Sequence, residues 1–372
     1  MRDPKTLRVL DTGLRRAAEN LALNRALLEA HQEGASPHTL RFLRFTPCAL
    51  LGFHQSVEQE LRTDYCEAQG IEIQRRITGG GAIYFDETQI GWELYLDKRF
   101  LGTAEMTEIA RRICEAAARG ISALGVDARF RPRNDIEVDG RKVSGTGGAF
   151  DGDSILYQGT LLIDFDVERM LRVLRIPAEK LSDKAIASAR DRVANLKDLL
   201  GELPSFDHVQ ATLAASFAEA FDVNLEWGGT LNAIEEQKFT EALAEIDSPE
   251  WVLQHHRPAA EAGMLEGMHR SPGGLMRAAL ALDRARDRIK QVWITGDFFV
   301  KPARVVVDLE ANLRDTPVAE LESNIERFFS GNRAEMLMLQ PEDFLTVIRN
   351  ALAKTTSVGN PSAGTASGSQ PA

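Results

Sequence analysis

The sequence predicts an α+β chain, with a large domain over residues 1–250 on a mixed or mostly antiparallel sheet and a small C-terminal α+β domain over residues 262–353. Three observations carry this expectation. Two long helical periodicities, in Leu14–Leu28 and Glu105–Leu124, stand among many short strand patterns and do not alternate with them one for one. Hairpin signals recur between those strands, which suits antiparallel neighbours better than a repeating βαβ unit. Beyond residue 260 a new strand pair begins and is followed by helical patterns.

Taken in order, Leu14–Leu28 places apolar residues at helical spacing, and Arg41–Leu51 reads as a strand broken at Pro47, which has no amide to donate. Strands are predicted at Ile71–Gln74, Ala82–Tyr84, Gly91–Leu96, Ile136–Val143 and Ile155–Ile163, and the Glu105–Leu124 helix ends at Gly125. Helices dominate residues 201–260, with Ser205 and Thr230 as N-caps. In Gly274–Asp283, Met276, Ala278, Leu280 and Leu282 share one face at period two, and Ile289–Thr295 supplies a partner strand. Helical patterns close the small domain at Pro317–Phe329 and Pro341–Leu352. Residues 354–372 are expected to be a disordered tail, since TTSVGNPSAGTASGSQPA has no charge and no aromatic. No internal repeat is seen.

Composition narrows the function. With 44 Lys+Arg against 55 Asp+Glu the net charge is -11, which disfavours broad attraction to nucleic acid or anionic lipid. An anionic ligand would have to be held locally. The three cysteines, Cys48, Cys66 and Cys114, form no CxxC pair, so a reducing compartment and no structural zinc are expected. The start lacks a secretion signal and no run reaches the roughly 18 apolar residues of a membrane span. A cytoplasmic monomer, with no nucleic-acid or membrane partner, is the expectation.

The stretch RRITGGGAIYFD, Arg75–Asp86, places two arginines and three glycines between strand patterns. Without Cβ atoms the glycines let a ligand approach the amide nitrogens, which suits phosphate or carboxylate. No GK[ST] follows, GxGxxG is absent and a strand comes next, so neither a Walker loop nor a dinucleotide fingerprint is present. Taken alone, the glycines fit a hairpin turn with solvated arginines equally well.

In NDIEVDGRKVSG, Asn134–Gly145, the pair Asp139-Gly140 signals a two-residue hairpin. The implied register sets Val138 opposite Arg141, Glu137 opposite Lys142, Ile136 opposite Val143 and Asp135 opposite Ser144. Asp135, Glu137, Lys142 and Ser144 then share one polar face. An exposed Glu137–Lys142 pair is the plain structural alternative. Gly145-Thr146-Gly147-Gly148 adds a second segment open to close approach. Together these parts suit activation of a carboxylate by a nucleotide, where cations and aimed amides offset the repulsion of two anions.

RRITGGGAIYFD, NDIEVDGRKVSG, YQGTLLIDFD and KAIASARDRVANLKDLLG resemble, in order, signature segments of the lipoate-protein ligase A family within the biotin/lipoate ligase superfamily, from about Asn20 to Gly201. The resemblance implies the biotin/lipoate ligase fold and a two-step reaction. Lipoate and ATP give lipoyl-AMP and pyrophosphate, and a lysine of an acceptor lipoyl-domain protein then takes the lipoyl group. It implies ATP and Mg²⁺ beside lipoate as substrate. Arg76 would contact phosphate, Gly79, Gly80, Gly81 and Ala82 would line the adenylate pocket, and Ile83 and Tyr84 would extend it. Lys142 would be catalytic, touching lipoate carboxylate and α-phosphate. Asn134 and Asp135 would sit at the nucleotide end, Asp135 holding Mg²⁺. The segment IKQVWITGDFFVKPARVVVDLEANL resembles the family's accessory domain, which supports adenylation; there Gly296, Asp297 and Phe298 read as a turn and a core aromatic.

The chain also departs from the family. Phe85-Asp86 stands where members often carry His-Asp, Thr88-Gln89 near a usual Gly-Asn, and Gln158 where a histidine precedes Gly-Thr. Alternatives are an octanoyl or lipoyl transferase that works through a cysteine thioester without ATP, and a non-catalytic relative that binds lipoyl domains. The glycine segment departs from the biotin ligase pattern. The cysteines read as buried structural residues, and the seven histidines, including His255-His256, as surface or loop residues. Arg129, Arg131 and Arg133 could guide an acidic acceptor or simply charge a strand edge.

Overall fold

The computed structural model describes residues 5–132, 134–175, 183–255 and 264–355. Two compact units divide the chain, Met1–His256 and Arg257–Ala372. The predicted tail, from residue 356 on, lies outside the described residues, as do Arg133 and His256.

The larger unit runs β1 (Thr6–Arg15), α1 (Ala17–Gln32), β2 (Thr39–Phe45), β3 (Cys48–Leu51), α2 (Val57–Glu60), α3 (Thr63–Ala68), β4 (Glu72–Arg75), β5 (Ile83–Phe85) and β6 (Gln89–Asp97). It continues through α4 (Met106–Ser122), β7 (Ala128–Arg131), β8 (Asp135–Val138), β9 (Arg141–Asp151), β10 (Ser154–Leu162), α5 (Val167–Val173) and α6 (Asp183–Arg190). Last come α7 (Leu196–Leu200), α8 (Phe206–Phe221), β11 (Asn224–Trp227), α9 (Ala233–Ile246) and α10 (Pro249–Leu253).

Eight strands form one mixed sheet in the order β11-β1-β2-β6-β10-β9-β8-β7, and β4-β3-β5 form a small second sheet. Only β1 pairs in parallel within the large sheet, with β2 and with β11; its other ladders are antiparallel. Alternation along the strands gives the sheet two distinct faces. One carries Phe42, Trp92, Leu94 and Tyr157, packed with Ile113 and Ile121 of α4 and Leu213 and Phe217 of α8. The other receives α1 through a buried polar network. Arg41 donates to Glu93 at 2.9 Å and to Asn20 at 2.5 Å, while Asn24 (2.5 Å) and the Tyr95 hydroxyl (2.7 Å) also donate to Glu93. With its partners in place, this buried charge keeps α1 in one register on the sheet.

Ser205 caps α8 through the His208 amide, as predicted. The cap of α9 is Asn232 instead of Thr230: its side chain accepts from the Ile234 and Glu235 amides, and Glu235 accepts from the Asn232 amide. That reciprocal box satisfies more free donors than a threonine two residues earlier could.

The smaller unit comprises β12 (Leu265–Ser271), β13 (Gly274–Asp283), β14 (Arg288–Gly296), β15 (Val300–Lys301), α11 (Arg304–Asn312), β16 (Thr316–Pro317), α12 (Leu321–Gly331), β17 (Glu335–Met336) and α13 (Pro341–Leu352). Its four-stranded sheet runs β12-β13-β14-β16, and Met276, Ala278 and Leu280 are buried together as period two requires. The predicted Pro317–Phe329 helix begins as a strand end and a 3₁₀ turn, Val318–Glu320, before α12. Phe298 is fully buried in this core.

Glu310 of α11 accepts from the Ile294 amide at 2.6 Å, and burial lifts its carboxyl from 4.5 to about 7. Between those values the folded chain holds a proton that the unfolded chain has released, so this contribution to stability is lost as pH rises from about 4.5 to 7. Thermal unfolding of the full chain is expected to show the smaller unit melting lower at pH 7 than at pH 5, with Glu310→Gln flattening the difference. An unchanged pH dependence in that variant would exclude Glu310 as its source.

Candidate functional site

Residues 76–82 link β4 to β5, and two arginines at the start of this loop do different work. Arg75 is fully buried and donates to the carbonyls of Gly52 (3.1 Å), Phe53 (2.8 Å), Gln55 (2.5 Å) and Val252 (2.7 Å). Arg76 is also buried and donates to Leu50 (3.0 Å), Gly79 (3.1 Å) and Gly81 (2.8 Å). Burial pulls both guanidinium groups down to about 10. Two carbonyls of the glycine loop thus face a cation from within. Among the described residues, the amides of Gly79, Gly80, Gly81 and Ala82 donate to no protein acceptor.

The expectation of a phosphate contact for Arg76 meets a different geometry, because its donors are spent on main-chain carbonyls. Its positive charge lies beneath the loop. Gly80 has φ 97°, a conformation that favours glycine, and Gly52 packs against its carbonyl. Ile83 and Tyr84 do not extend one surface together. Ala82 and Tyr84 pack with Leu51, Leu162 and Phe165, whereas Ile83 and Phe85 pack with Leu21, Leu43 and Leu50. Strand alternation separates them.

In the hairpin, Asp139 (φ 52°) and Gly140 (φ 72°) make the expected turn, and Val138 pairs with Arg141 and Glu137 with Lys142. Past that point the predicted register fails. A bulge between Ile136 and Glu137 puts Ile136 opposite Ser144 and Asp135 opposite Gly145. The extra residue buries both Val143 and Ser144, so Ser144 leaves the polar face. Glu137 pairs with Arg131 at 2.5 Å. Lys142 instead reaches Asp135, Nζ to Oδ1 2.6 Å, with the two side chains 39% and 28% exposed.

The base of Lys142 is fixed from both sides. Its amide donates to Arg192 O and its carbonyl accepts from Ala194 N, each at 2.9 Å. Its side chain lies over Gly145, where a Cβ would come within 2.8 Å of Nζ. Thr160 accepts from the Gly145 amide at 3.3 Å. Asn134 is spent on Thr146: its carbonyl accepts from the Thr146 amide (2.8 Å) and hydroxyl (3.1 Å), and its side chain donates to Thr146 O (3.2 Å).

Two paths join the glycine loop to Lys142. Thr160 sits opposite Gly91, and Gly91 opposite Leu43, on the sheet face that receives α1; Leu156 shares that face. Ile77 of the loop packs against both the Leu43 and the Leu156 clusters. On the other side, Ala82 and Tyr84 share a cluster with Val193, whose backbone bridges to Lys142.

The remaining candidates fall out as follows. Cys48, Cys66 and Cys114 are buried, and burial pushes all three thiols up, Cys66 to about 11. Cys114 contacts the hydroxyls of Thr146 (3.4 Å) and Tyr157 (3.3 Å). The histidines are not all superficial: His31, His38 and His54 are buried, and His255, its ring 5.1 Å from that of Phe53, is held down to about 3 by burial beside Arg75. Arg129 pairs with Asp127 at 2.8 Å, so Arg129 and Arg131 have acidic partners close by. Phe85 packs on Phe45, Asp86 accepts from Thr88, and Gln158 lies half-buried opposite Gly147 and Glu93. Among the described residues, no group of three or more His, Cys, Asp or Glu could hold a metal ion.

The lipoyl protein ligase A/B catalytic domain matches residues 16–218, more than half of the chain. The chain belongs to this family. The octanoyltransferase LipM of Kyrpidia tusciae is 31% identical over 271 residues, 66% of this chain and 98% of that protein. Lipoate-protein ligase A subunit 1 of Thermoplasma acidophilum is 31% identical over 215 residues, 55% of this chain and 80% of that one. In structure, the bipartite lipoate protein ligase of T. acidophilum, solved with its E2 lipoyl domain, superposes with TM-score 0.61 and 29% identity over 69% of this chain and 99% of its own. A lipoate-protein ligase A bound with ATP gives 0.59 and 26%, over 68% and 99%. Plasmodium falciparum LipL1 in complex with lipoate covers 94% of this chain and 99% of its own at TM-score 0.71; at 16% identity it speaks for the fold alone, which is α+β as predicted. Among the described residues no helix is long and apolar enough to cross a membrane.

Proposed function

We propose that this family member is an ATP-dependent lipoate-protein ligase, which makes lipoyl-AMP and passes the lipoyl group to a lysine of an acceptor lipoyl domain. What supports the reading is a glycine loop whose Gly79–Ala82 amides donate to no protein acceptor among the described residues, together with the anchored Lys142 ammonium, in a chain whose three thiols are buried. Acyl-adenylate formation needs donors aimed at a phosphate and a cation between two anions. Thioester transfer needs an accessible thiolate, which burial opposes.

In this reading the amides of Gly79, Gly80, Gly81 and Ala82 hold phosphate oxygens, and Arg76 keeps them aimed by binding the carbonyls behind them. Lys142 leaves Asp135 to bridge lipoate carboxylate and α-phosphate. Mg²⁺, when bound with the nucleotide, supplies charge neutralisation on its phosphates. Asp135 would be its protein ligand, a single carboxylate being compatible with an ion that keeps waters and phosphate oxygens. Asn134 holds the Thr146 backbone in place beside it. The smaller unit is read as the accessory domain that supports adenylation, and the enzyme as a cytoplasmic monomer.

A second reading, octanoyl transfer without ATP, is favoured by the likeness to LipM over 98% of that protein's length. One experiment separates the two. The protein with Cys48, Cys66 and Cys114 all changed to alanine or serine is expected to keep lipoate-dependent pyrophosphate release from ATP, and lipoylation of an acceptor domain read by mass spectrometry, within about threefold. Acyl transfer from a thioester donor without ATP, abolished by the same changes, would favour the transferase.

A further inference from the structure

We propose that Arg169 binds the diphosphate that leaves the nucleotide, which rests on the reading of the chain as an adenylate-forming ligase. Arg169 lies in the first turn of α5, and its guanidinium sits 5.6 Å above the ring centroid of Tyr84. Tyr84 follows Ala82 by two residues on the same side of β5, and both pack on one apolar cluster with Met170, the neighbour of Arg169. The arginine therefore stands at the exit of the glycine loop.

Its charge is available there. No carboxylate comes within ion-pair distance of Arg169 among the described residues, because Glu168 beside it is taken by Arg172 and by Arg190 (3.2 Å). The Asp86 carboxylate, the acid closest in sequence to Tyr84, accepts from the Thr88 amide at 3.0 Å. Among the described residues, half-buried Arg169 contacts the Tyr84 ring, and its amide donates to Asp166. The Tyr84 hydroxyl is buried, and the Asp86 carboxylate lies near it. The guanidinium thus lies over the Tyr84 ring with no ion-pair partner among the described residues.

The chemistry needs such a group. When the lipoate carboxylate oxygen bonds to the α-phosphorus, the bond from that phosphorus to the bridging oxygen breaks and its electron pair leaves on the diphosphate. Arg75 and Arg76 are committed to carbonyls, and Lys142 to the α-phosphate. Arg169 is the cation near the loop left to take the β- and γ-oxygens, and its planar fork suits them.

The test uses the full chain as wild type, Arg169→Gln and Arg169→Lys. Three quantities are read: lipoate-dependent pyrophosphate release against ATP concentration, inhibition by inorganic pyrophosphate, and acyl transfer from preformed lipoyl-adenylate to a lipoyl domain. Arg169→Gln is expected to lower kcat/KM for ATP and to weaken pyrophosphate inhibition by about 10- to 100-fold each, with Arg169→Lys between. Transfer from the preformed adenylate should stay within about twofold in both variants, which a misfolded variant could not do. Unchanged pyrophosphate inhibition, or an equal loss in both half-reactions, overturns the role of Arg169. A wild-type protein that releases no pyrophosphate overturns the ligase reading, and this proposal with it.

Discussion

Lys142→Ala is expected to lower the rate of lipoate-dependent pyrophosphate release by about 10²- to 10³-fold while leaving the KM for ATP within a few-fold, the pattern of a contact made chiefly in the transition state. The ammonium is the hairpin cation anchored beside Asp135, and its anchorage is unusually complete: backbone bonds to Arg192 and Ala194, a glycine beneath the side chain, and Asp135 at its tip. Removing it also leaves Asp135 as an uncompensated negative charge at the phosphate end. Folding should hardly change, because a half-exposed ion pair contributes only about 0–1 kcal/mol. Lys142→Arg should not restore the rate, since a planar fork does not substitute for a compact ammonium. Initial rates across ATP concentrations, with melting temperatures as control, decide it; a normal rate in Lys142→Ala leaves the site without its central cation.

How much of this site the sequence disclosed depended on the range of the interactions involved. The Asp139-Gly140 turn was legible because two residues with positive φ suffice to define it. The same held for α13, whose Pro341 and Asp343 mark a helix start locally. The bulge at Ile136–Glu137 was not legible: nothing local dictates which strand takes the extra residue, and one added residue was enough to bury Ser144 and to send Lys142 to Asp135 in place of Glu137. Strand β1 was missed because its partners are a parallel neighbour and β11, more than 200 residues away, and because a register shift near Gly13 breaks its alternation.

Arg76 shows a second demand that the sequence does not display. An arginine next to glycines reads as a ligand contact, yet a buried guanidinium needs acceptors of its own, and carbonyls of Leu50, Gly79 and Gly81 supply them. Full burial of Arg75 follows the same logic. The buried histidines were misjudged for the opposite reason: the absence of metal spacing says nothing about packing, and His31 and His38 are held by each other and by Ser154.

Gly52→Ala is expected to remove activity by more than about 100-fold and to cost about 2–4 kcal/mol of stability, although Gly52 lies outside the four motifs RRITGGGAIYFD, NDIEVDGRKVSG, YQGTLLIDFD and KAIASARDRVANLKDLLG. A Cβ there would fall 1.8 Å from the Gly80 carbonyl oxygen, and both atoms belong to backbone or its first branch, so no rotamer relieves the overlap. The loop must lift or the Gly52–Gln55 segment must drop, and Arg75 resists the second by binding the carbonyls of Gly52, Phe53 and Gln55. Lifting Gly80 moves the carbonyls of Gly79 and Gly81 off Arg76, which frees the amides to turn away from a phosphate. Gly147→Ala is the matched control for folding, because a Cβ at that position meets nothing within 4 Å. ATP binding by calorimetry together with chemical denaturation separates the two effects. If Gly52→Ala binds ATP as wild type does, the amides of the glycine loop are not what holds the nucleotide, and the phosphate site must be sought around Lys142 alone.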